Sequence, residues 1–222
     1  MIDGSAVAVV TGASRGIGEA VARRLRAGGY RTVGLARTIG EDTIPCDVGD
    51  EREIVDAFDL IGDVFGPVTM LVNAAGVTEV DAVHDWEAHS FLNQWRTNLL
   101  GTALACREMI RRLPDGVGGR IVNVSSTSAS RPSPRWGAYS SSKAAVEQLT
   151  QTLAEEMVGS GVHVFGVAPG RCATDLRRVL APEEDPASIM RPDEVARVVS
   201  WLLTDVDAPL MSGQMLRVRR DW

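Results

Sequence analysis

Short apolar runs alternate with longer amphipathic stretches along the whole chain, and no other feature restricts the fold as strongly. Residues 6–11 (Ala-Val-Ala-Val-Val-Thr) are continuously apolar and run into a glycine cluster, the pattern of a strand buried on both faces of a parallel sheet. Further strands are predicted at 31–36, 69–73, 120–125, 162–168 and 214–218, and helices at 16–27, 50–62, 88–113, 138–158 and 192–203. Gly28-Gly29 supply the stop of the first helix. Strands separated by helices need right-handed crossovers that cover both faces of the sheet, which gives an α/β class with a doubly wound, mostly parallel sheet.

With 222 residues, 45% of them hydrophobic, the chain is sized for one core, and a single domain over 1–222 is expected. One connection is abnormal. Only nine residues, Gly40 and Pro45 among them, separate Arg37 from Asp47, too few for a crossover helix with its loops, so a loop or single turn is expected there. A net charge of -6 argues against a nucleic-acid partner held by phosphate neutralisation. No run approaches the roughly 18 apolar residues of a membrane helix, and the N-terminus lacks the basic start of an export signal, so a cytoplasmic protein without a membrane partner is expected. Cys46, Cys106 and Cys172, odd in number and without a C-x-x-C, form neither a disulfide framework nor a zinc knuckle. His84 and His89 have no evident third ligand, and no metal is expected.

Thr11-Gly12-Ala13-Ser14-Arg15-Gly16-Ile17-Gly18 joins the first strand to the first helix. Glycines there let the backbone turn sharply and approach a pyrophosphate, whose charge meets free N–H groups and the positive end of the helix dipole. Gly12 to Gly16 also spell G-x-S-x-G, the nucleophile elbow of serine hydrolases. That reading fails on position, since one strand alone precedes the turn and the only late histidine, His163, sits inside an apolar strand. Ser140-x-x-Lys143 resembles the S-x-x-K of penicillin-recognising enzymes, which also need a K-T-G that a chain with one lysine cannot supply. The strand after the first helix, Thr32-Val33-Gly34-Leu35-Ala36-Arg37, ends without the carboxylate that normally holds the ribose of NAD. Arg37, with Arg15, could clamp a 2'-phosphate instead, so NADP is favoured over NAD.

Of the 23 basic residues, 22 are arginine and one is lysine, Lys143, four residues after one of the only two tyrosines, Tyr139. Side chains four apart at the start of a predicted helix share one face. A nearby ammonium favours the phenolate and makes the tyrosine a usable acid or base.

Together these features resemble the short-chain dehydrogenase/reductase family over essentially the whole chain, and in particular its NADPH-dependent 3-oxoacyl-carrier-protein reductases. The glycine turn is similar to the family's, contributing Gly12, Ser14, Arg15, Gly16, Ile17 and Gly18 to the cofactor. Asn73-Ala74-Ala75-Gly76 resembles the segment that supports the sheet and the cofactor, and Asp47-Val48 the adenine contact. Asn98, Ser126, Tyr139 and Lys143 stand at separations of 28, 13 and 4, like the family's catalytic tetrad, and Pro169-Gly170 with Thr174 resembles its nicotinamide-side segment.

The resemblance implies a Rossmann-like fold and reduction of a ketone by NADPH. Tyr139 would protonate the oxygen, Ser126 would hydrogen-bond it, Lys143 would lower the tyrosine pKa and hold the nicotinamide ribose, and Asn98 would fix a water beside Lys143. Positioned acid catalysis of this kind is worth about 10² to 10⁴ in rate. The substrate would be small or carrier-bound, a 3-oxoacyl thioester being the first candidate; oxidation of a secondary alcohol or sugar, and non-catalytic NADP binding, are the alternatives. Arg171–Arg191 is brief for a substrate segment and suggests an open site, and residues 212–222 lack the family's usual glycine pair. Arg131, Arg135, Trp136, Arg171, Arg177 and Arg178 are expected near the pocket mouth, where they would suit an anionic substrate or simply be solvated. The helices at 88–113 and 138–158 carry apolar bands too wide for a single core-facing stripe, so a homodimer or homotetramer packed through them is expected.

Overall fold

The computed structural model describes residues 6–38, 40 and 42–220; Asp221 and Trp222, at the end of the 212–222 segment, lie outside them. Seven strands form one all-parallel sheet in the order β3-β2-β1-β4-β5-β6-β7: β1 Val7–Thr11, β2 Arg31–Ala36, β3 Thr43–Pro45, β4 Val68–Asn73, β5 Gly119–Val124, β6 Val162–Pro169 and β7 Met215–Val218. β1 and β5 are buried at every position, as a strand covered on both faces must be. On one face α1 (Gly16–Ala27) and α7 (Pro192–Thr204) pack Val21, Leu25, Val199 and Leu202 against Val10, Val72 and Phe165. On the other, α2 (Glu51–Phe65), α4 (Gly101–Arg112) and α5 (Gly137–Glu156) pack Ile54, Phe58, Met109 and Leu153 against Val9, Leu71 and Ile121.

The chain reverses its direction of travel across the sheet between β1 and β4, both parallel to each other. Crossovers leave this point toward opposite edges and open a crevice beyond the carboxyl ends of the strands, where such folds bind ligands.

Two expectations need correction. The link after Arg37 is not merely a loop, because β3 pairs with the otherwise free edge of β2 and the Asp42 carbonyl accepts from the Gly34 N–H at 2.9 Å. The helix expected over 88–113 is three pieces: α3 (Ala88–Trp95), a π-helical turn at Arg96–Leu100 and α4. Such a turn adds a residue to the helical repeat and re-aims the side chains of the next helix. The brief segment 171–191 carries structure of its own. α6 (Asp175–Leu180) forms within it, the Cys172 and Met190 backbones pair as a bridge, and Met190 N donates to Arg171 O at 3.1 Å.

Candidate active site

The crevice is a cavity of about 400 Å³. At one end lies the glycine turn. Gly12 has φ +67°, and a Cβ there would meet Ala75 N and Cα at 2.7 Å; a Cβ on Gly18 would lie 2.3 Å from the Gly12 carbonyl oxygen. No side chain fits at either place, so bare backbone faces the cavity. Thr11 opens this turn, and its Oγ1 accepts from both Ala74 N and Ala75 N at 3.2 Å, tying the glycine turn to the end of β4.

Gly12, Ser14, Arg15, Gly16, Ile17, Gly18, Arg37, Asp47, Val48, Ala74 and Gly76 all line the cavity. Asn73 does not. Its amide points to the far side of the sheet end, donating to Asn123 Oδ1 at 2.9 Å and to Cys106 Sγ at 3.3 Å, so it braces β4 against β5 and α4 and does not face a ligand. Asp47 is occupied too, bonded to Arg96 Nη2 at 3.0 Å and accepting from Gly49 N at 3.0 Å. Arg37 is exposed at the cavity edge, and Arg15 makes a solvent-exposed pair with Asp175 at 3.7 Å.

At the other end, Ser126, Tyr139, Lys143, Pro169, Gly170 and Thr174 line the wall. Ser126 follows β5, and its Oγ accepts from Ser128 N at 3.2 Å. Tyr139 and Lys143 share the inner face of α5 and are both buried. Ser125, unmarked by any motif, pins that helix to β5: its Oγ lies 3.0 Å from the Lys143 carbonyl oxygen and 3.1 Å from Glu147 Oε1. Thr174 caps α6 by accepting from Arg177 N at 3.1 Å, and Gly170 N donates to Val218 O at 2.8 Å.

Burial raises the Tyr139 pKa to about 12, against the opposing pull of a hydrogen bond with Ser126 and of the Arg177 charge. Lys143 lies one turn further along α5. Its Nζ donates to the Val124 carbonyl at 2.9 Å, and burial brings its own pKa down to about 8. Asn98, held by the π turn and fully buried, is saturated on its amide face. Oδ1 accepts from Val77 N at 2.8 Å, while Nδ2 donates to Val77 O at 3.0 Å and Ser142 Oγ at 2.9 Å. Its side chain therefore braces the backbone after Gly76, with both amide hydrogens used. The tetrad is nonetheless one cluster: a Cβ on Gly76 would sit 3.4 Å from Asn98 Oδ1 and 3.6 Å from Lys143 Nζ.

Of the arginines expected at the mouth, Arg131, Arg171 and Arg177 line the cavity with Trp136. Arg135 instead donates to Val80 O at 3.1 Å, and Arg178 pairs with Asp175 at 3.0 Å. His163, the only late histidine, lies opposite Arg120 in the β5–β6 register, at the ends of those strands remote from the cavity.

A family model described as short chain dehydrogenase matches residues 6–185. The chain belongs to that family. It is 35% identical to the carbonyl reductase family member 4 of Danio rerio over 232 residues, covering 96% of both chains. In three dimensions it matches a 3-ketoacyl-(acyl-carrier-protein) reductase from Brucella melitensis complexed with NADH, at TM-score 0.88 and 28% identity, with 96% of each chain covered. A short chain dehydrogenase from Burkholderia cenocepacia J2315 in complex with NADP matches at TM-score 0.87 and 27% identity, again covering 96% of each chain. The protein is thus an oxidoreductase of a family that uses a nicotinamide cofactor, and no helix among its described residues is long and apolar enough to cross a membrane.

Proposed function

We propose that this short chain dehydrogenase reduces a ketone carbonyl to a secondary alcohol with NADPH. The observation that carries the reading is the cavity itself, with bare glycine backbone at one end and Tyr139, Ser126 and Lys143 on one wall at the other. A dinucleotide suits the backbone cradle at the N-terminus of α1, where free N–H groups and the helix dipole favour a pyrophosphate. NADP suits it better than NAD, because β2 ends in Ala36 without a carboxylate and Arg37 follows it at the cavity edge.

A nicotinamide cofactor held by the glycine turn of Gly12, Gly16 and Gly18 would supply the hydride for the carbonyl carbon. Tyr139 supplies the proton to the oxygen as general acid, with burial favouring its neutral, protonated form. Ser126, beside the phenol, donates a hydrogen bond to the same oxygen. Lys143, with its proton affinity brought close to neutral pH, is placed to return a proton to the site. Asn98 is a positioning residue that holds the Gly76–Val77 backbone against α5. The substrate is a small or carrier-bound ketone, with 3-oxoacyl thioesters the first to assay, and the protein acts as a homodimer or homotetramer through the helices at 88–113 and 138–158, where Leu92 and Leu100 stand exposed.

The test is turnover of Tyr139→Phe, followed by NADPH absorbance across ketone, sugar and acyl-thioester panels, with NADPH binding measured separately by fluorescence. Turnover should be lost while binding stays within a few-fold. A variant that retains most of the wild-type rate would assign the proton to another group and overturn the reading.

A further inference from the structure

Positive charge gathers at the substrate end of the cavity. Arg131, Arg171 and Arg177 line it. The two acidic residues on the cavity wall are already paired, Asp47 with Arg96 and Asp175 with Arg15 and Arg178. Behind the wall, Glu184 is a single carboxylate shared by two guanidiniums: Arg177 Nε and Nη2 grip its two oxygens at 2.5 and 3.0 Å, and Arg171 Nη1 reaches it at 3.2 Å. One positive charge is left over, and Arg131 adds another, since it forms no ion pair among the described residues.

Arg177 is the best placed of the three. Its side chain is only 18% exposed and that of Glu184 14%, so the fork is largely desolvated, where charge-assisted bonds are strongest. The guanidinium lies over the Trp136 ring at 5.5 Å, which fixes its plane. Trp136 immediately precedes α5, three residues before Tyr139. Nη1 alone of the three nitrogens makes no hydrogen bond among the described residues, and the Arg177 charge is close enough to draw the Tyr139 pKa downward. A rigid cation with spare donors thus stands beside the group that meets the carbonyl oxygen.

We infer that Arg177 is a specificity-determining residue, and that the ketone reduced at this site carries a carboxylate within a few bonds of its carbonyl, a short oxo acid in place of a neutral thioester or ester. The inference rests on the proposed ketone reduction. An anion there compensates the surplus charge of the Arg171–Glu184–Arg177 cluster, whereas a neutral group would leave Nη1 unmatched.

The experiment compares 2-oxobutanoate and 3-oxobutanoate with their methyl esters, and with the N-acetylcysteamine thioester of 3-oxobutanoate, each reduced by NADPH with the wild-type protein. At least one free acid should exceed its ester in kcat/KM by about tenfold or more, and that preference should shrink as salt is raised. Arg177→Gln should lower kcat/KM for the acid by about 30-fold, the loss expected for truncating one partner of a buried charged contact, chiefly through KM, so that the acid-to-ester ratio falls toward one. The wild-type ratio needs no variant and stands even if Arg177→Gln folds poorly. Esters or the thioester reduced as well as the acids would overturn the carboxylate assignment and leave ketone reduction intact. No reduction of any member would overturn both.

Discussion

Replacing Lys143 by methionine should make the cofactor-free protein more stable at neutral pH and less stable at alkaline pH. The ammonium is buried with one carbonyl, that of Val124, as its acceptor, and desolvation alone carries its pKa from 10.5 down to about 8. Between those values the unfolded chain binds more protons than the folded one, so unfolding free energy rises with pH; below the folded pKa the lysine is charged in both states and the whole cost of its burial is present. A displacement of this size corresponds to about 3 kcal/mol. Methionine removes the cost but also the bond to Val124, worth about 1 kcal/mol. Lys143→Met should therefore be the more stable protein by about 2 kcal/mol below pH 8 and the less stable by about 1 kcal/mol near pH 10.5. Urea unfolding followed by tryptophan fluorescence at intervals from pH 7 to 10.5 reads this directly, and titration of Tyr139 and the thiols largely cancels in the difference between the two proteins. A difference that stays constant to within about 0.5 kcal/mol across the interval would refute a buried, desolvated lysine.

NADPH should bind at least about tenfold tighter than NADH, and Arg37→Ala should erase most of that gap, since one charge-assisted contact is worth roughly that factor; equal affinities by fluorescence titration would remove Arg37 from the 2'-phosphate. Gly18→Ala should abolish cofactor binding and cost about 1 to 3 kcal/mol or more of stability, because the new methyl would lie 2.3 Å from the Gly12 carbonyl oxygen; unchanged binding and thermal midpoint would contradict the packed turn. Light scattering at micromolar concentration should give a dimer or tetramer mass, and a value near 23.8 kDa would leave Leu92 and Leu100 to be explained within a monomer.

Short stretches that dictate their own conformation were legible in the sequence. The apolar runs gave the strands within a residue or two, and the glycine turn was recognisable because backbone crowding at Gly12 and Gly18 excludes every other residue. Tyr139 and Lys143 could be placed on one face from their spacing, yet not the groups that face meets. A lysine side chain is long enough to reach a carbonyl 19 residues earlier in the chain, and no pattern encodes that choice. Asn98 is similar. Its partners Val77 and Ser142 lie 21 and 44 residues away, and the π turn that aims it has no compositional mark. The pairing of Arg177 with Glu184 spans the end of α6, so helical spacing could not suggest it. β3 was hidden because three residues pair only when an edge is already waiting for them.

An acidic chain can still build a positive cleft if its carboxylates are spent elsewhere. The net charge is -6, yet the cavity wall carries Arg15, Arg37, Arg131, Lys143, Arg171 and Arg177 against Asp47 and Asp175 alone. The buried Glu108 of α4 is gripped by Arg107 and Arg112, and other carboxylates sit at helix starts: Asp50 caps α2 and Glu194 closes the first turn of α7. There they satisfy N–H groups and helix dipoles, which is where carboxylates stabilise most. The arginines are left to converge on a low-dielectric cleft that focuses their field. Within it, burial drives Tyr139 and Lys143 toward their neutral forms, so the cleft favours anions at its two ends while its reacting centre gives up and takes back a proton.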